Sequence, residues 1–247
     1  MSLEVPIIEI FASLQGEGPY VGERHLFIRF QDCELSCKFC DTPLTFVSNR
    51  FCRMEYPPFS KRFRNIPNPI SAEQLTPLLA DFEEKTLSLT GGEPLQKAAF
   101  LKEWLPQIKP RFRILLETAG VHVNELKEII SLVDIISMDI KLSSSTGMHP
   151  WWREHESFLK MAQENHKEVY VKVVVTSETT DENILKAVHL MSSMDPTIPF
   201  ILQPATAFGR FKAVPSMDQV ASWQAMVQKT LPGVRVIPQM HKQLGIL

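Results

Sequence analysis

The chain has 247 residues, a length that suits a single α/β domain or α/β barrel. Hydrophobic residues make up 44% and charged residues 22%, which is ordinary for a globular protein and argues against long disordered stretches. The net charge of −2 is not the basic balance expected of a nucleic-acid-binding protein. No run approaches the roughly 18 apolar residues that a membrane helix needs, and residues 1–10 lack the basic start of a signal peptide. We therefore expect a cytoplasmic protein without nucleic-acid or membrane partners.

Apolar runs rich in β-branched residues recur along the chain, and segments of helical spacing separate most of them. The predicted strands are, in chain order, Leu26–Phe30, Leu87–Thr90, Phe112–Glu117, Ile135–Ile140, Val169–Thr176, Phe200–Gln203 and Val234–Pro238. In Glu125–Val133 the apolar residues fall at i, i+3, i+4 and i+7, and in Glu182–Met191 they are Ile184, Leu185, Val188 and Met191; both patterns predict amphipathic helices. Alternating strands and helices predict a parallel sheet covered by helices, as a full or partial barrel or as an open doubly wound sheet.

Three of the four cysteines, Cys33, Cys37 and Cys40, crowd into a Cys-x-x-x-Cys-x-x-Cys sequence. In a cytosolic chain such crowding indicates metal binding or catalysis rather than disulfides. Thiolates suit an iron–sulfur cluster or zinc. A structural zinc site would need a fourth ligand, and neither Cys52 nor any histidine stands in a second Cys-x-x-Cys pair. The pattern favours a four-iron cluster with one iron left open, and zinc is the alternative.

Residues 43–69 interrupt the alternating pattern directly after the cysteines. They carry four prolines within thirteen residues, which argue against regular structure, together with five basic residues. The basic residues are Arg50, Arg53, Lys61, Arg62 and Arg64. Long loops inside compact domains are usually functional or disordered. Two interpretations stay open: a solvated loop insertion, and a lid or docking surface for an electron donor.

The sequence Thr90-Gly91-Gly92-Glu93-Pro94 comes at the end of a predicted strand. Two glycines let a backbone approach a ligand closely. A carboxylate at the carboxyl end of a strand can hold an amino group, and barrel folds bind their ligands at that edge. The alternative is a plain strand-to-helix turn.

Together, the cysteine sequence and Gly-Gly-Glu-Pro resemble the hallmarks of the radical S-adenosylmethionine superfamily. The resemblance implies a partial (β/α) barrel and a [4Fe–4S] cluster on Cys33, Cys37 and Cys40. It also implies S-adenosylmethionine chelated by the open iron, with the Gly92–Glu93 strand end at the amino group of this cofactor. We expect one such domain over residues 1–247.

Further segments resemble one family within that superfamily, the 7-carboxy-7-deazaguanine synthases. They are Ile8–Gly18, Phe27–Phe30, Cys40–Thr42, Glu117–Gly120, Asp139–Lys141 and Pro238–Lys242. The resemblance implies a lyase that contracts the ring of 6-carboxy-5,6,7,8-tetrahydropterin by radical chemistry and releases ammonia, in queuosine and deazapurine biosynthesis. It further implies Mg²⁺, a homodimer and an electron donor such as flavodoxin.

The resemblance also implies a role for individual residues. The substrate-binding positions are Leu14, Gln15, Gly16, Glu17, Arg29, Thr90, Glu117, His241 and the terminal carboxylate of Leu247, with Glu117 also a catalytic candidate. The positions for S-adenosylmethionine are Phe39, Asp41, Gly92, Glu93, Ser143, Ser144 and Ser145. Thr42 is expected to bind Mg²⁺ through its hydroxyl, and Cys52 is expected to be a free thiol.

Without the resemblance, most of these residues have ordinary interpretations. Thr42 is a turn residue before a proline, and Glu117 is a capping or ion-pairing carboxylate. Arg29, flanked by apolar residues, needs a partner because an unpaired buried charge is costly, and that partner is either a substrate carboxylate or a structural ion pair. His241 is a surface residue and the three serines form a loop. Rival functions are a nucleobase lyase or glycyl-radical activating enzyme on the same scaffold, and a non-enzymatic zinc-binding domain.

Overall fold

A computed structural model describes residues 3–246, in which twelve strands and eight helices alternate along much of the chain. The strands are β1 Glu4–Val5, β2 Ile7–Leu14, β3 Arg24–Phe30, β4 Phe51–Glu55, β5 Phe63–Pro67, β6 Ile70–Ser71, β7 Thr86–Gly91, β8 Arg113–Thr118, β9 Ile135–Asp139, β10 Glu168–Val175, β11 Phe200–Pro204 and β12 Arg235–Val236. The helices are α1 Ala72–Leu78, α2 Ala98–Ile108, α3 Val123–Ile129, α4 Ser143–Thr146, α5 Trp152–Glu164, α6 Asp181–Met194, α7 Met217–Gln228 and α8 Met240–Leu244.

Ten of the strands form one sheet in the order β12-β11-β10-β9-β8-β7-β3-β2-β4-β5. Neighbouring strands from β3 across to β12 are all parallel, whereas β2 runs antiparallel to β3 and β4 pairs antiparallel with β5. Among the described residues β5 and β12 do not pair with each other, so the sheet is open rather than a closed barrel. The predicted α/β fold of the partial-barrel type is confirmed.

The parallel strands are buried on both faces, which is why they appear in the sequence as nearly continuous apolar runs. All five residues of β9 are buried, and in β10 only the first residue is exposed. Helix α6 buries Ile184, Ala187, Val188 and Met191, whereas Leu185, a member of the predicted apolar set, is exposed. No helix of residues 3–246 has the length and apolar character needed to cross a membrane.

The segment 43–69 is not the irregular loop that its prolines suggested. It contains a short 3₁₀ turn at Pro43–Phe46 and the hairpin β4–β5, which extends the sheet beyond β2. Pro57 and Pro58 fall in the connection between the two strands, and Pro67 ends β5, which lies at the edge of the sheet. A proline is tolerated in such positions because no ladder hydrogen bond from its nitrogen is required.

The turn after β7 fixes the loop that carries the cysteines. The amide of Gly92 donates to the Phe30 carbonyl and that of Glu93 to the Asp32 carbonyl, each at 3.0 Å. Gly91 has φ +121°, and a Cβ on Gly92 would lie well inside contact distance of the Asp32 carbonyl oxygen. The two glycines thus allow a strand end to pack directly on the backbone that precedes Cys33.

We predict that Gly92→Ala displaces this turn and with it the cysteine loop. Overpacking against a backbone that cannot rotate away costs about 1–3 kcal/mol. The matched control is Gly233→Ala, because Gly233 has nothing within 4 Å of its would-be Cβ. In Gly92→Ala, but not in the control, the melting temperature and the iron content after anaerobic reconstitution should both fall. Equal iron content and melting temperature in the two variants would contradict the role of the close approach.

Candidate active site

A cavity of about 620 Å³ opens at the carboxyl ends of the parallel strands. Because those ends meet at one edge of the sheet, loops distant in sequence share its wall. The predicted site residues that line it are Leu14, Gln15, Gly16, Glu17, Arg29, Cys33, Cys37, Phe39, Cys40, Asp41, Thr42, Thr90, Gly92, Glu93, Glu117 and His241. The structure therefore brings together residues that span most of the chain.

Four predicted positions are not in this group. Ser143, Ser144 and Ser145 form α4 outside the cavity wall, and their hydroxyls have protein partners. Ser143 donates to Asn183 at 3.0 Å, Ser144 accepts from the Thr180 amide, and Ser145 pairs with Thr179. Their predicted contact with S-adenosylmethionine gains no support from this arrangement. Leu247 lies outside the described residues.

The three cysteines follow β3 on one loop, and all are free and half-buried. Burial raises the pKa of the Cys33 thiol to about 12 and also raises that of Cys37, so ionisation there needs a compensating cation. No three His, Cys, Asp or Glu side chains within residues 3–246 converge on a point where one metal ion could bind. In a multi-iron cluster each thiolate binds its own iron, and three cysteines on one loop can supply three such ligands.

Glu93 is a fully buried carboxylate at the end of β7. One oxygen accepts from the Leu95 amide at 3.1 Å and from the Thr118 hydroxyl at 2.8 Å, and the other accepts from the Ala119 amide at 2.8 Å. Burial raises the pKa of Glu93 despite these donors. The carboxylate is therefore held rigidly between the ends of β7 and β8, where it can accept a further hydrogen bond from a cationic ligand in the cavity.

Glu117 is held by two side chains that also line the cavity. Its oxygens accept from Gln15 at 2.9 Å and from the Thr90 hydroxyl at 2.7 Å. These three residues come from β8, the segment after β2, and β7. A carboxylate oriented in this way can accept the N–H groups of a heterocycle or carry a proton to or from it.

Arg29 forms an ion pair within the protein, which is one of the two interpretations that its sequence context left open. Its Nε lies 2.9 Å from a Glu9 oxygen, and its guanidinium carbon lies 5.8 Å from the centre of the Phe11 ring. Glu9, Phe11 and Arg29 all line the cavity, so the guanidinium is paired and still faces a ligand. An arginine in this position can offer its remaining N–H groups to a substrate carboxylate.

Glu17 and Lys172 form a buried ion pair in the wall of the cavity. Burial alone would raise the pKa of Glu17, but the Lys172 ammonium lowers it below its usual value. Gln239 also donates to Glu17, at 3.1 Å. Because both charges are removed from water, each depends on the other for its stability.

The chain's C-terminal segment closes one side of the cavity. The carboxylate of Asp41 accepts from Gln239 at 3.0 Å and pairs with Lys242, and these donors lower its pKa to about 2. The Met240 amide donates to the Gly16 carbonyl at 2.9 Å, and a Cβ on Gly16 would lie 2.6 Å from that of His241. Gly16 therefore makes room for the tail as well as for a ligand.

Sequence reasoning did not single out several polar residues that the cavity contains. Lys172 interrupts the apolar strand Val-Tyr-Val-Lys-Val-Val-Val, the same signal that drew attention to Arg29, so it could have been found. Lys141, which belongs to the Asp139–Lys141 segment of the family resemblance but was given no role there, pairs with Asp139 at 2.8 Å, and its ammonium lies 5.5 Å from the centre of the Phe39 ring.

Asp139 Oδ1 and Gln203 Oε1 are among the buried oxygens in the wall that have no hydrogen-bond partner within residues 3–246. Buried polar atoms are usually satisfied by protein, ligand or water. These two oxygens are therefore available to hydrogen-bond a ligand or water in the cavity.

Comparison with known proteins adds an independent line of support. The model of the Radical SAM superfamily matches residues 27–191, a range that holds the cysteines and Gly-Gly-Glu-Pro. A protein named 7-carboxy-7-deazaguanine synthase from Geobacter sulfurreducens is 36% identical over 245 residues, covering 97% of this chain and 96% of that protein. A second protein of that name, from Methanopyrus kandleri, is 34% identical and covers 98% and 94%.

Solved structures support the fold. The crystal structure of QueE from Escherichia coli aligns with a TM-score of 0.62 at 20% identity, covering 96% of this chain and 95% of that one. At this identity the likeness concerns the fold alone.

We predict that Lys172→Met destabilises the chain by about 3–5 kcal/mol, because it leaves the Glu17 carboxylate buried without its partner. Glu17→Gln alone should also destabilise, whereas the double variant should recover much of the loss. Chemical denaturation of the four proteins gives the coupling energy directly. If each single variant loses little free energy of unfolding, and the two losses simply add in the double variant, the pair contributes little to stability.

Proposed function

The chain belongs to the radical S-adenosylmethionine superfamily and, within it, to the family of 7-carboxy-7-deazaguanine synthases, and we propose that it carries out the reaction of that family. The substrate is 6-carboxy-5,6,7,8-tetrahydropterin, and the products are 7-carboxy-7-deazaguanine and ammonia. The observation that carries the proposal is that the cysteine loop, the Gly-Gly-Glu turn and the predicted pterin-binding residues line one cavity.

The [4Fe–4S] cluster and S-adenosylmethionine, when bound, supply the one-electron chemistry that removes a hydrogen atom from C6 of the pterin. Cys33, Cys37 and Cys40 hold the cluster. Glu93, held by three hydrogen-bond donors, would accept from the amino group of the cofactor. These residues would position the reacting centres relative to each other.

The pterin would be bound by a carboxylate and hydrogen-bond donors elsewhere in the cavity wall. Glu117, oriented by Gln15 and Thr90, accepts the N–H groups of the amino-pyrimidine ring and is placed to move a proton during loss of ammonia. Arg29 offers its free N–H groups to the substrate carboxylate. Binding both ends of the ring fixes which carbon faces the cofactor.

Mg²⁺ is part of the proposal, and Thr42 is the protein residue that would hold it. The Thr42 hydroxyl lies in the cavity wall, 3.4 Å from an Asp41 oxygen. A hard cation binds oxygen and commonly completes its shell with substrate and water. There it would neutralise and orient the substrate carboxylate.

The remaining parts of the proposal concern the whole protein. One radical S-adenosylmethionine domain over residues 1–247 is supported by relatives of nearly the same extent. A reducing compartment such as the cytoplasm suits thiolate ligands and a cluster that must accept electrons. A homodimer and a flavodoxin-type donor complete the expected assembly.

The deciding experiment is an anaerobic assay with substrate deuterated at C6, S-adenosylmethionine, Mg²⁺ and a reductant, analysed by mass spectrometry. We expect 7-carboxy-7-deazaguanine, with deuterium in 5′-deoxyadenosine or in recovered S-adenosylmethionine. Cys37→Ala should abolish both, and Cys52→Ala, which removes a buried free thiol outside the site, should retain them. Formation of 5′-deoxyadenosine without the deazapurine would assign the chain another substrate, as in an activating enzyme or nucleobase lyase.

We predict that Glu117→Gln lowers the rate of deazapurine formation at least tenfold, the size typical of a lost general acid–base group. Iron content should stay at the wild-type level, because Glu117 has no role at the cysteines. The control is Glu128→Gln, which removes an exposed carboxylate paired with Lys102. Full activity in Glu117→Gln would remove this residue from the proposed mechanism.

A further inference from the structure

The segment 43–69 has a composition unlike the rest of the chain. It contains five basic residues and one acidic residue, Glu55, while the chain as a whole carries a net charge of −2. Glu55 is buried and accepts from the amides of Ala12 and Lys61, so it does not offset the positive surface. All five basic residues are exposed. The hairpin β4–β5 and its flanks therefore present positive charge on an otherwise acidic protein.

The same segment exposes large apolar side chains. Of the thirteen such side chains exposed on the described residues, six fall between positions 44 and 59. They are Leu44, Phe46, Val47, Phe51, Tyr56 and Phe59. Apolar side chains rimmed by charge mark interaction surfaces, whereas single exposed ones need no explanation.

A second, more open groove of about 770 Å³ lies beside this segment, and it leads to the cysteine loop. Phe46, Asn49 and Arg50 line it together with Cys33, and so do two acidic residues, Glu4 and Asp32, of which Asp32 pairs with Lys97. Of the three clustered cysteines, Cys33 alone lines it, and Cys33 also lines the main cavity. Cys33 can thus be reached from the groove as well as from the substrate cavity.

Reductive cleavage of S-adenosylmethionine takes one electron from the cluster, and re-formation of the cofactor returns it, so the oxidised cluster must first receive one electron from a donor. Three of the chain's four cysteines are assigned to the proposed cluster, and the fourth, Cys52, is fully buried in the core. A protein donor could not enter through the main cavity while cofactor and substrate fill it. The electron must therefore arrive from outside, at a surface close to a cluster ligand.

We propose that the groove and the basic hairpin together form the docking surface for an acidic, flavin-carrying one-electron donor protein, whose flavin approaches Cys33. The donor is oxidised by one electron and the cluster is reduced by one. This inference rests on the proposed function, because it requires a cluster at Cys33.

The dimensions and charges fit such a partner. Each five-residue strand of the hairpin is about 17 Å long, and a standard interface covers roughly 800 Å² on each side, so one partner can span groove and hairpin. Opposite charges accelerate association and orient the encounter. A second copy of this chain, placed here by a two-fold axis, would instead bring two positive surfaces together.

Two arginines allow a clean test. The side chains of Arg50, in the groove, and Arg62, near the hairpin tip, have no hydrogen bond, ion pair or aromatic contact among residues 3–246, and neither lines the main cavity. Arg153, exposed and equally without such contacts in that range, is the matched control. It lies on α5, which follows β9, five strand positions away from β4.

The experiment compares wild type, Arg50→Glu/Arg62→Glu and Arg153→Glu as reconstituted enzymes. The rate of cluster reduction by reduced flavodoxin is followed by absorbance without pterin, and flavodoxin binding is measured by calorimetry. Dithionite with methyl viologen serves as the chemical donor. We expect the double variant to bind flavodoxin roughly tenfold more weakly and to be reduced by it correspondingly more slowly. Reduction by the chemical donor should stay within about twofold of wild type, and Arg153→Glu should resemble wild type with both donors.

Several results would overturn the inference. They are unchanged flavodoxin kinetics in the double variant, an equal loss in Arg153→Glu, or an equal loss with the chemical donor. A wild-type dimer that separates only in the double variant would make this surface a self-interface, and transfer RNA binding lost only there would make it an RNA site. Because cluster reduction is read without pterin, it stays informative even if no deazapurine forms, so failure of the proposed substrate and failure of docking are distinct outcomes.

Discussion

The hydrogen bonds between the Gly-Gly-Glu turn and the backbone ahead of the cysteines are the constraint on which the site depends. Two amides after β7 donate to carbonyls at the last residue of β3 and two residues beyond it, and glycine at position 92 is needed because a side chain would collide with the second of these carbonyls. The turn that carries Glu93 and the loop that carries Cys33 are therefore one rigid unit. Groups proposed to bind opposite ends of a cofactor are thereby fixed relative to each other before any ligand arrives.

Around this unit the cavity wall is built from paired charges rather than isolated ones. Glu17 pairs with Lys172, Arg29 with Glu9, and Asp41 with Lys242. Unpaired, charges that are largely removed from water would be costly, and paired, they keep their side chains in set orientations. The same pairs fasten the C-terminal segment over the cavity, because Gln239 links Glu17 to Asp41. Side chains that line the ligand cavity therefore also hold the C-terminal segment in place.

The hairpin β4–β5 forms one edge of the sheet, and the same residues serve its protection and its proposed docking role. An edge strand is a liability unless charge, proline or a covering element protects it. Here basic residues and Pro67 lie on or beside the edge strand, which discourages pairing with another sheet. The features that protect the edge also give it the charge that an acidic partner would recognise.

The amino-acid pattern alone predicted the α/β fold with a parallel sheet and marked the three clustered cysteines as ligands of a cluster or of zinc. Strands buried on both faces leave continuous apolar runs, and parallel strands bring their carboxyl ends to one edge, so Glu93 and Glu117 could be grouped without coordinates, whereas Gln15 was proposed only from the family resemblance. The resemblance to known families supplied their expected roles.

Only the tertiary structure decided the pairing of the charges, the course of residues 43–69 and the place of the three serines. Prolines that suggest a loop are compatible with an edge hairpin, because edge positions demand no hydrogen bond from them. The partner of Lys172 lies 155 residues away, and local pattern carries no information about such contacts. The three serines form hydrogen bonds with Asn183, Thr180 and Thr179, contacts that depend on how α6 and the residues before it pack.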